Sequence, residues 1–163
     1  MNKLKSGILQ LLTEDARYSV DKIALLLGAE KEAVAAAIKE LEDTGVIVKY
    51  SAIVNTEKLS EEYVDALIEI RVTPQARSGY DSIAEQINSF DEVKAVYLMS
   101  GDYDLAVSLE SKTIRDVSLF VSDKLSTIEG VIGATTHFIM KKYKESGVSL
   151  VDTQASKRIL IHE

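Results

Sequence analysis

Val93-Lys94-Ala95-Val96-Tyr97-Leu98-Met99-Ser100-Gly101-Asp102-Tyr103-Asp104-Leu105-Ala106-Val107-Ser108-Leu109 holds two largely apolar runs separated by turn-forming residues. Gly and Asp suit the backbone of tight turns. The segment therefore reads as a strand over Val93–Met99, a turn at Ser100-Gly101-Asp102-Tyr103, and a strand over Leu105–Leu109. Each side of this hairpin carries a helical pattern. Upstream, Tyr80, Ile83, Ala84, Ile87 and Phe90 recur at helical spacing; downstream, Ile114, Val117, Val121 and Leu125 do the same. Further out, Val64 to Val72 alternates with period two, placing Val64, Ala66, Ile68, Ile70 and Val72 on one face. Pro74, the only proline, ends that strand, and Thr135 to Lys142 reads as the last one. The order β-α-β-β-α-β is the ferredoxin-like pattern.

In that arrangement both helices cover one face of the sheet. The other face is expected to carry Leu67, Val96, Leu98, Ala106 and Ile139, with charged residues between them. Such a face is too apolar to leave wet. A second copy of the chain is expected to cover it, making the protein at least a homodimer.

The first third of the chain is helical. Leu4, Ile8, Leu9 and Leu12 mark one helix. Ser19 caps a second carrying Ile23, Ala24, Leu26 and Leu27, and Gly28 breaks it. A third runs from Lys31 to Thr44 with the stripe Val34, Ala37, Ile38 and Leu41, and Gly45 takes the usual place after its end. Two short helices meeting at a glycine turn suggest a helix-turn-helix. Val46 to Val54 alternates like a strand, and Asn55 to Ser60 looks like a linker. The fold class is therefore α+β. A winged helix-turn-helix domain occupies residues 1–50, a linker strand 51–62, a ferredoxin-like domain 63–142 and a polar tail 143–163. The run Ile159-Leu160-Ile161 could add an edge strand to the tail.

Composition excludes several classes. The 163 residues are 46% hydrophobic and 28% charged, as in an ordinary globular chain, not a collagen-like or disordered one. There is no cysteine, hence no disulfide framework or thiol nucleophile. No apolar run reaches the about 18 residues of a membrane span, and the N-terminus Met1-Asn2-Lys3-Leu4-Lys5 fits no signal peptide, so a cytoplasmic protein is expected. The net charge of −7 is uneven: residues 1–60 carry −1, residues 61–141 carry −7 and residues 142–163 carry +1. The helical part is thus neutral towards nucleic acid rather than repulsive. His137 and His162 are far apart in sequence and make no metal constellation, and no Ser/His/Asp spacing or phosphate-cradling glycine loop occurs. No cofactor is expected.

The whole pattern resembles the Lrp/AsnC (feast/famine) family of transcription regulators. Ile38-Lys39-Glu40-Leu41-Glu42-Asp43-Thr44-Gly45-Val46-Ile47 resembles the family's recognition-helix ending, I-x-x-L-E-x-x-G-V-I. Met99-Ser100-Gly101-Asp102-Tyr103-Asp104-Leu105 resembles the G-D-x-D turn of its effector-binding half, and Leu125 to Ile139 the helix end and strand that follow. The resemblance covers residues 1–142. It implies a DNA-binding transcriptional regulator responsive to an amino acid or similar small molecule, built from dimers that assemble to octamers or other rings. It also implies an effector site at subunit interfaces, formed by Met99, Ser100, Gly101, Asp102, Tyr103 and Asp104 with Ala134, Thr135 and Thr136 contributed across an interface. On the recognition helix it points to Lys31, Ala35, Ala36 and Lys39 for DNA contact.

The chain departs from the family at that helix. Ala35-Ala36-Ala37 stands where arginines are common, and Glu30 replaces the usual serine cap. Base readout favours Arg, Asn or Gln, and phosphate contacts supply most non-specific affinity. Weak DNA binding, or binding by several dimers together, is the physical expectation. Each site also has a plainer reading. Lys31 and Lys39 suit a solvated helix face with intrahelical ion pairs; Lys3, Lys5, Arg17 and Lys49 could flank the DNA backbone, but each also suits ordinary surface charge, and Gly101 to Asp104 suits an ordinary hairpin turn. Two other functions compete with the regulator: an effector-binding assembly module that has lost DNA recognition, and an enzyme, since sirohaem decarboxylases share this fold. No acid–base set supports the enzyme; Asp102 and Asp104 lie in a turn with no sign of a pocket to separate their pKa values.

Overall fold

A computed structural model describes residues 2–61, 63–73 and 79–151. The chain divides into two compact units, Met1–Ile53 and Val54–Glu163.

The first unit holds three helices: α1 (Lys3–Glu14), α2 (Val20–Leu27) and α3 (Lys31–Asp43). Side-chain caps fix two of the starts. Asn2 Oδ1 accepts the Lys5 N–H at 2.9 Å, and Ser19 Oγ accepts the Lys22 N–H at 3.2 Å. Gly28 closes α2 in the left-handed conformation at φ +60°, which lets the chain turn directly into α3. Ile8, Ile23, Ala24, Val34, Ala37 and Leu41 pack into one core. Gly7 lets α1 approach α2 closely, since a Cβ there would lie 2.9 Å from Leu27 Cδ2.

The expected strand over 46–54 does not form, and neither does a linker strand over 51–61: residues 46–61 join no strand among the described residues, Asn55 Nδ2 donates to the Leu150 carbonyl at 3.0 Å, and Thr56–Lys58 make one 3-10 turn capped by Asn55. Ile47 packs on the helical core, but Val48, Ile53 and Val54 are exposed. An alternating segment becomes a strand only beside another backbone, and the described residues of this chain offer it none.

The second unit is a four-stranded antiparallel sheet in the order β2-β3-β1-β4, with β1 (Val64–Val72), β2 (Val93–Leu98), β3 (Leu105–Ser111) and β4 (Val131–Phe138). Helices α4 (Asp81–Asn88) and α5 (Ile114–Leu119) supply the β-α-β-β-α-β order. Ala66, Ile68, Ile70 and Val72 meet Ile83, Ile87, Val117 and Phe120 in a core completed by Leu105, Val107, Leu109, Leu125 and Ile128. Pro74 lies outside the described residues.

Four details differ from the expectation. The last strand spans Val131–Phe138, not 135–142. Gly130, at φ +95°, turns the chain early, its carbonyl accepting the Thr73 N–H at 2.8 Å, and β4 runs out of partner where β1 begins. The second helix changes after Leu119 into a π-helical turn, Phe120–Lys124, and a 3-10 turn, Leu125–Thr127. The wider turn brings Phe120 fully into the core, where its ring meets Phe90 edge-on at 5.5 Å, and leaves Val121 half-buried. The uncovered face also differs in membership. Val96 pairs with Val107 and Leu98 with Leu105, so both sit on the helix side. The open face carries Leu67, Tyr97 and Ala106 together with Glu69, Arg71, Thr135 and His137. Finally, the start of the tail pairs with itself. Lys144–Glu145 (β5) and Val148–Ser149 (β6) form a hairpin around Ser146 and Gly147, both at positive φ. Residues 152–163, with the Ile159-Leu160-Ile161 run and His162, lie outside the described residues.

Candidate functional site

The turn between β2 and β3 is tied down by its last residue. The Met99 N–H donates to the Asp104 carbonyl at 2.8 Å, and the Asp104 N–H donates to the Ile70 carbonyl at 2.9 Å. The Asp104 carboxylate accepts the Val72 N–H through Oδ2 at 2.8 Å and the Tyr80 hydroxyl through Oδ1 at 3.4 Å. One side chain thus joins the start of β3, the end of β1 and the entry to α4. Gly101 and Asp102 stand at the exposed tip, and Arg71 Nε reaches back to donate to the Asp102 carbonyl at 3.2 Å.

Beside the turn, on the open face of the sheet, lies a recess of about 240 Å³ lined by Glu69, Arg71, Asp102, Tyr103, Gly133, Ala134 and Thr135. Register builds it: Glu69 lies opposite Thr135 and Arg71 opposite Gly133 across the β1–β4 ladder. A Cβ at Gly133 would meet nothing within 4 Å. Of the nine residues expected at an effector site, the recess brings together Asp102, Tyr103, Ala134 and Thr135. Met99, Ser100, Gly101 and Asp104 belong to the turn but not to its lining. Thr136 faces the helix side, in a separate groove of about 340 Å³ with Val117, Val121 and Phe138. Glu69 and Arg71 were missed. Their signal is visible afterwards as two charges interrupting the apolar run of β1 at alternate positions, but only strand register places them beside the turn. His137 sits on the same face, with Nε2 3.4 Å from Glu69 Oε2.

In the helical unit, Lys31, Ala35, Ala36 and Lys39 are all exposed on α3, and Lys31, Ala35 and Lys39 share one stripe at i, i+4, i+8. Both lysines are engaged. Lys31 Nζ lies 2.7 Å from Asp21 Oδ1, which raises the lysine's pKa above its ordinary value chiefly through that hydrogen bond. Lys39 Nζ lies 2.8 Å from Asp43 Oδ2. The helix start is uncapped, since Glu30 makes no side-chain cap bond. Around α3, Lys5 pairs with Glu40 and Arg17 with Asp15. Among the described residues of this unit, Lys3, Lys22 and Lys49 have no acidic partner. Lys22 was not singled out in the sequence; its exposure on α2 is what marks it.

No cluster of three or more His, Cys, Asp or Glu suited to a metal occurs among the described residues, and no described helix is long and apolar enough to cross a membrane.

Comparison with known proteins covers both units. A family model for the Lrp/AsnC ligand binding domain matches residues 65–149, and one for a winged helix-turn-helix DNA-binding domain matches residues 1–48. The chain is 41% identical over 162 residues to YugG, an uncharacterized HTH-type transcriptional regulator of Bacillus subtilis, covering 99% of this chain and 98% of that one. It is 30% identical over 147 residues to the HTH-type transcriptional regulator FL11 of Pyrococcus furiosus, covering 90% of this chain and 93% of that one. Among solved structures, a transcriptional regulator of Neisseria meningitidis in complex with L-methionine superposes with TM-score 0.72 at 22% identity, covering 92% of this chain and 97% of that one, a likeness of fold.

Proposed function

The chain belongs to the Lrp/AsnC family of HTH-type transcriptional regulators, and from that premise we propose how it works. The helical unit binds double-stranded DNA through α3, with Lys31 and Lys39 at the phosphates and Ala35 and Ala36 against the groove wall. The second unit binds an amino acid or related small molecule near the Met99–Asp104 turn, with Ala134, Thr135 and Thr136 of a neighbouring subunit closing the site. A second copy covers the open sheet face, and dimers assemble further, to an octamer or another ring. The protein works in the cytoplasm as a regulator and not as an enzyme.

The observation that carries this reading is the joining, in one chain, of a helix-turn-helix unit and a ligand-binding-domain fold, both shared with YugG over nearly full length. Affinity per unit is low on this reading. The two recognition-face lysines already have carboxylate partners, so binding DNA exchanges one ion pair for another. Several units acting on one DNA make up the difference through effective concentration. The same ion pairs favour a second reading, an effector-binding assembly module with lost DNA recognition. Sequencing of genomic fragments retained by the protein at physiological salt separates the two. Discrete enriched sites are expected; a retained population distributed like the input would support the module.

A further inference from the structure

We infer that a cleft beyond the end of the sheet receives the chain's own C-terminal run, Lys157-Arg158-Ile159-Leu160-Ile161. The cleft, of about 320 Å³, lies where β1 begins and β4 has ended, between residues 55–61 and residues 139–142. It takes only Val64 and Asp65 from the sheet and so lies outside the face assigned to a second copy. Its apolar lining is uncovered: Leu59 is 48%, Ile139 40% and Met140 92% exposed. Single exposed apolar side chains need no explanation, but several lining one concave site mark a place that something covers. The charges are uneven too. Lys142 Nζ is held by Asp65 Oδ1 at 2.7 Å, and Lys141 Nζ lies 5.4 Å from the centre of the Tyr143 ring, so both lysines are engaged. Among the described residues, Glu57 has no basic partner and Glu61 takes only the Tyr63 hydroxyl, at 2.7 Å. The occupant that suits such a cleft brings apolar side chains together with positive charge.

The chain carries that segment next to the cleft. Leu150 forms part of the wall, its carbonyl accepting from Asn55 Nδ2 at 3.0 Å and its N–H donating to the Tyr143 carbonyl at 3.0 Å. Residues 151 onward therefore start at the cleft's rim. The stretch from Leu150 to Lys157 extends at most about 25 Å, ample to turn back over a cleft that Leu150 borders. Within residues 152–163 the one apolar run is Ile159-Leu160-Ile161, and Lys157 and Arg158 directly precede it. The two positive charges match Glu57 and Glu61, and the apolar run matches Leu59, Ile139 and Met140. A tail seated there ties residues 55–61, through which the chain enters the second unit, to the segment that follows β4.

The chain has no tryptophan, so M140W in the full chain places a single fluorescent reporter in the cleft. Its emission is expected to lie to the blue of free tryptophan, as for a covered indole. In M140W/I159S/L160S/I161S it is expected to move to the red. In M140W/K157E/R158E it is expected to move part of the way, with the shift shrinking as salt is raised. Circular dichroism checks that each variant is folded. The red position of the triple-serine variant is expected to persist when it is co-expressed with the unaltered chain, which supplies an intact tail but no reporter. Red emission from M140W alone would show an uncovered cleft and overturn the proposal. Blue emission that survives both sets of tail substitutions would mean another occupant, such as the surface of a second copy, and would overturn it as well. A return to blue on co-expression would assign the tail to another copy's cleft and overturn the own-chain assignment.

Discussion

The carboxylate of Asp104 accepts the backbone N–H of Val72 at 2.8 Å, closing the end of β1 against the start of β3. Its other oxygen takes the Tyr80 hydroxyl. A residue that the turn motif offers as a ligand contact is thus, in this chain, the fastener of three elements.

This gives Asp104 a stability role that separates two substitutions. D104A leaves the half-buried Val72 N–H and Tyr80 hydroxyl without their acceptor and is expected to cost about 1.5–3 kcal/mol. D104N keeps an oxygen for the Val72 N–H and is expected to cost less than half of that. Urea unfolding of both variants checks the order. Equal losses would mean that the carboxylate does not hold β1.

Gly130 and Gly101 make a second contrast. Gly130 sits at φ +95°, and a Cβ there would lie 2.8 Å from Ile83 Cδ1 and 3.2 Å from the Thr73 carbonyl. G130A is expected to destabilise by about 1–3 kcal/mol through backbone strain and overpacking. At Gly101 a Cβ meets nothing within 4 Å, so G101A is expected to leave the melting temperature unchanged. Thermal unfolding of the pair reads this directly.

If α3 holds DNA as proposed, the acids paired with its lysines weaken that binding. D21N and D43N release Lys31 and Lys39 from their partners and are expected to tighten binding to any duplex. K39A is expected to weaken it uniformly across sequences and to lower the slope of log affinity against log salt by about 1. Anisotropy titrations over a salt series test both; an unchanged slope for K39A would remove Lys39 from the interface.

Glu92 gives a pH signature. Lys124 Nζ lies 2.5 Å from Glu92 Oε1, and this hydrogen bond, before any other cause, holds the Glu92 carboxyl below its ordinary pKa. A depressed carboxylate stabilises the fold above its unfolded pKa and loses that contribution as pH falls through the folded one. The pair is substantially exposed, so the effect is small. E92Q is expected to melt slightly lower than the unaltered chain at neutral pH, with the gap closing below the carboxylate range. A gap independent of pH would assign it to packing on Phe90 and Phe120, over whose rings Lys124 also lies.

Much of this was legible in the residues because local chemistry and fold agree. Ser19 caps α2, Gly28 turns it, and Ala66, Ile68 and Ile70 alternate into the core, each as its side chain requires. What stayed hidden depends on partners distant in sequence. The segment around Val48 has strand alternation but no neighbouring backbone, so pattern alone misled. Val96 and Leu98 changed faces because β2 is irregular between Val93 and Ala95, and a one-residue slip reverses every side chain. Phe120 replaced Val121 in the core through a π turn that no helical periodicity signals. At the candidate site, Asp102 and Thr135 were within reach of motif reading, whereas Glu69 and Arg71 needed the β1–β4 register.

On the proposed function, this chain reads DNA and a small molecule bound in its second unit changes that reading. The most direct measurement is fluorescence anisotropy with the DNA upstream of its own gene and an unrelated fragment. It is run at low and physiological salt, with and without the amino acid that binds best. Preferential, salt-sensitive binding to its own upstream DNA is expected, with a shift in that affinity when the amino acid is present. Equal affinity for both fragments at both salts, unmoved by any amino acid, would contradict it.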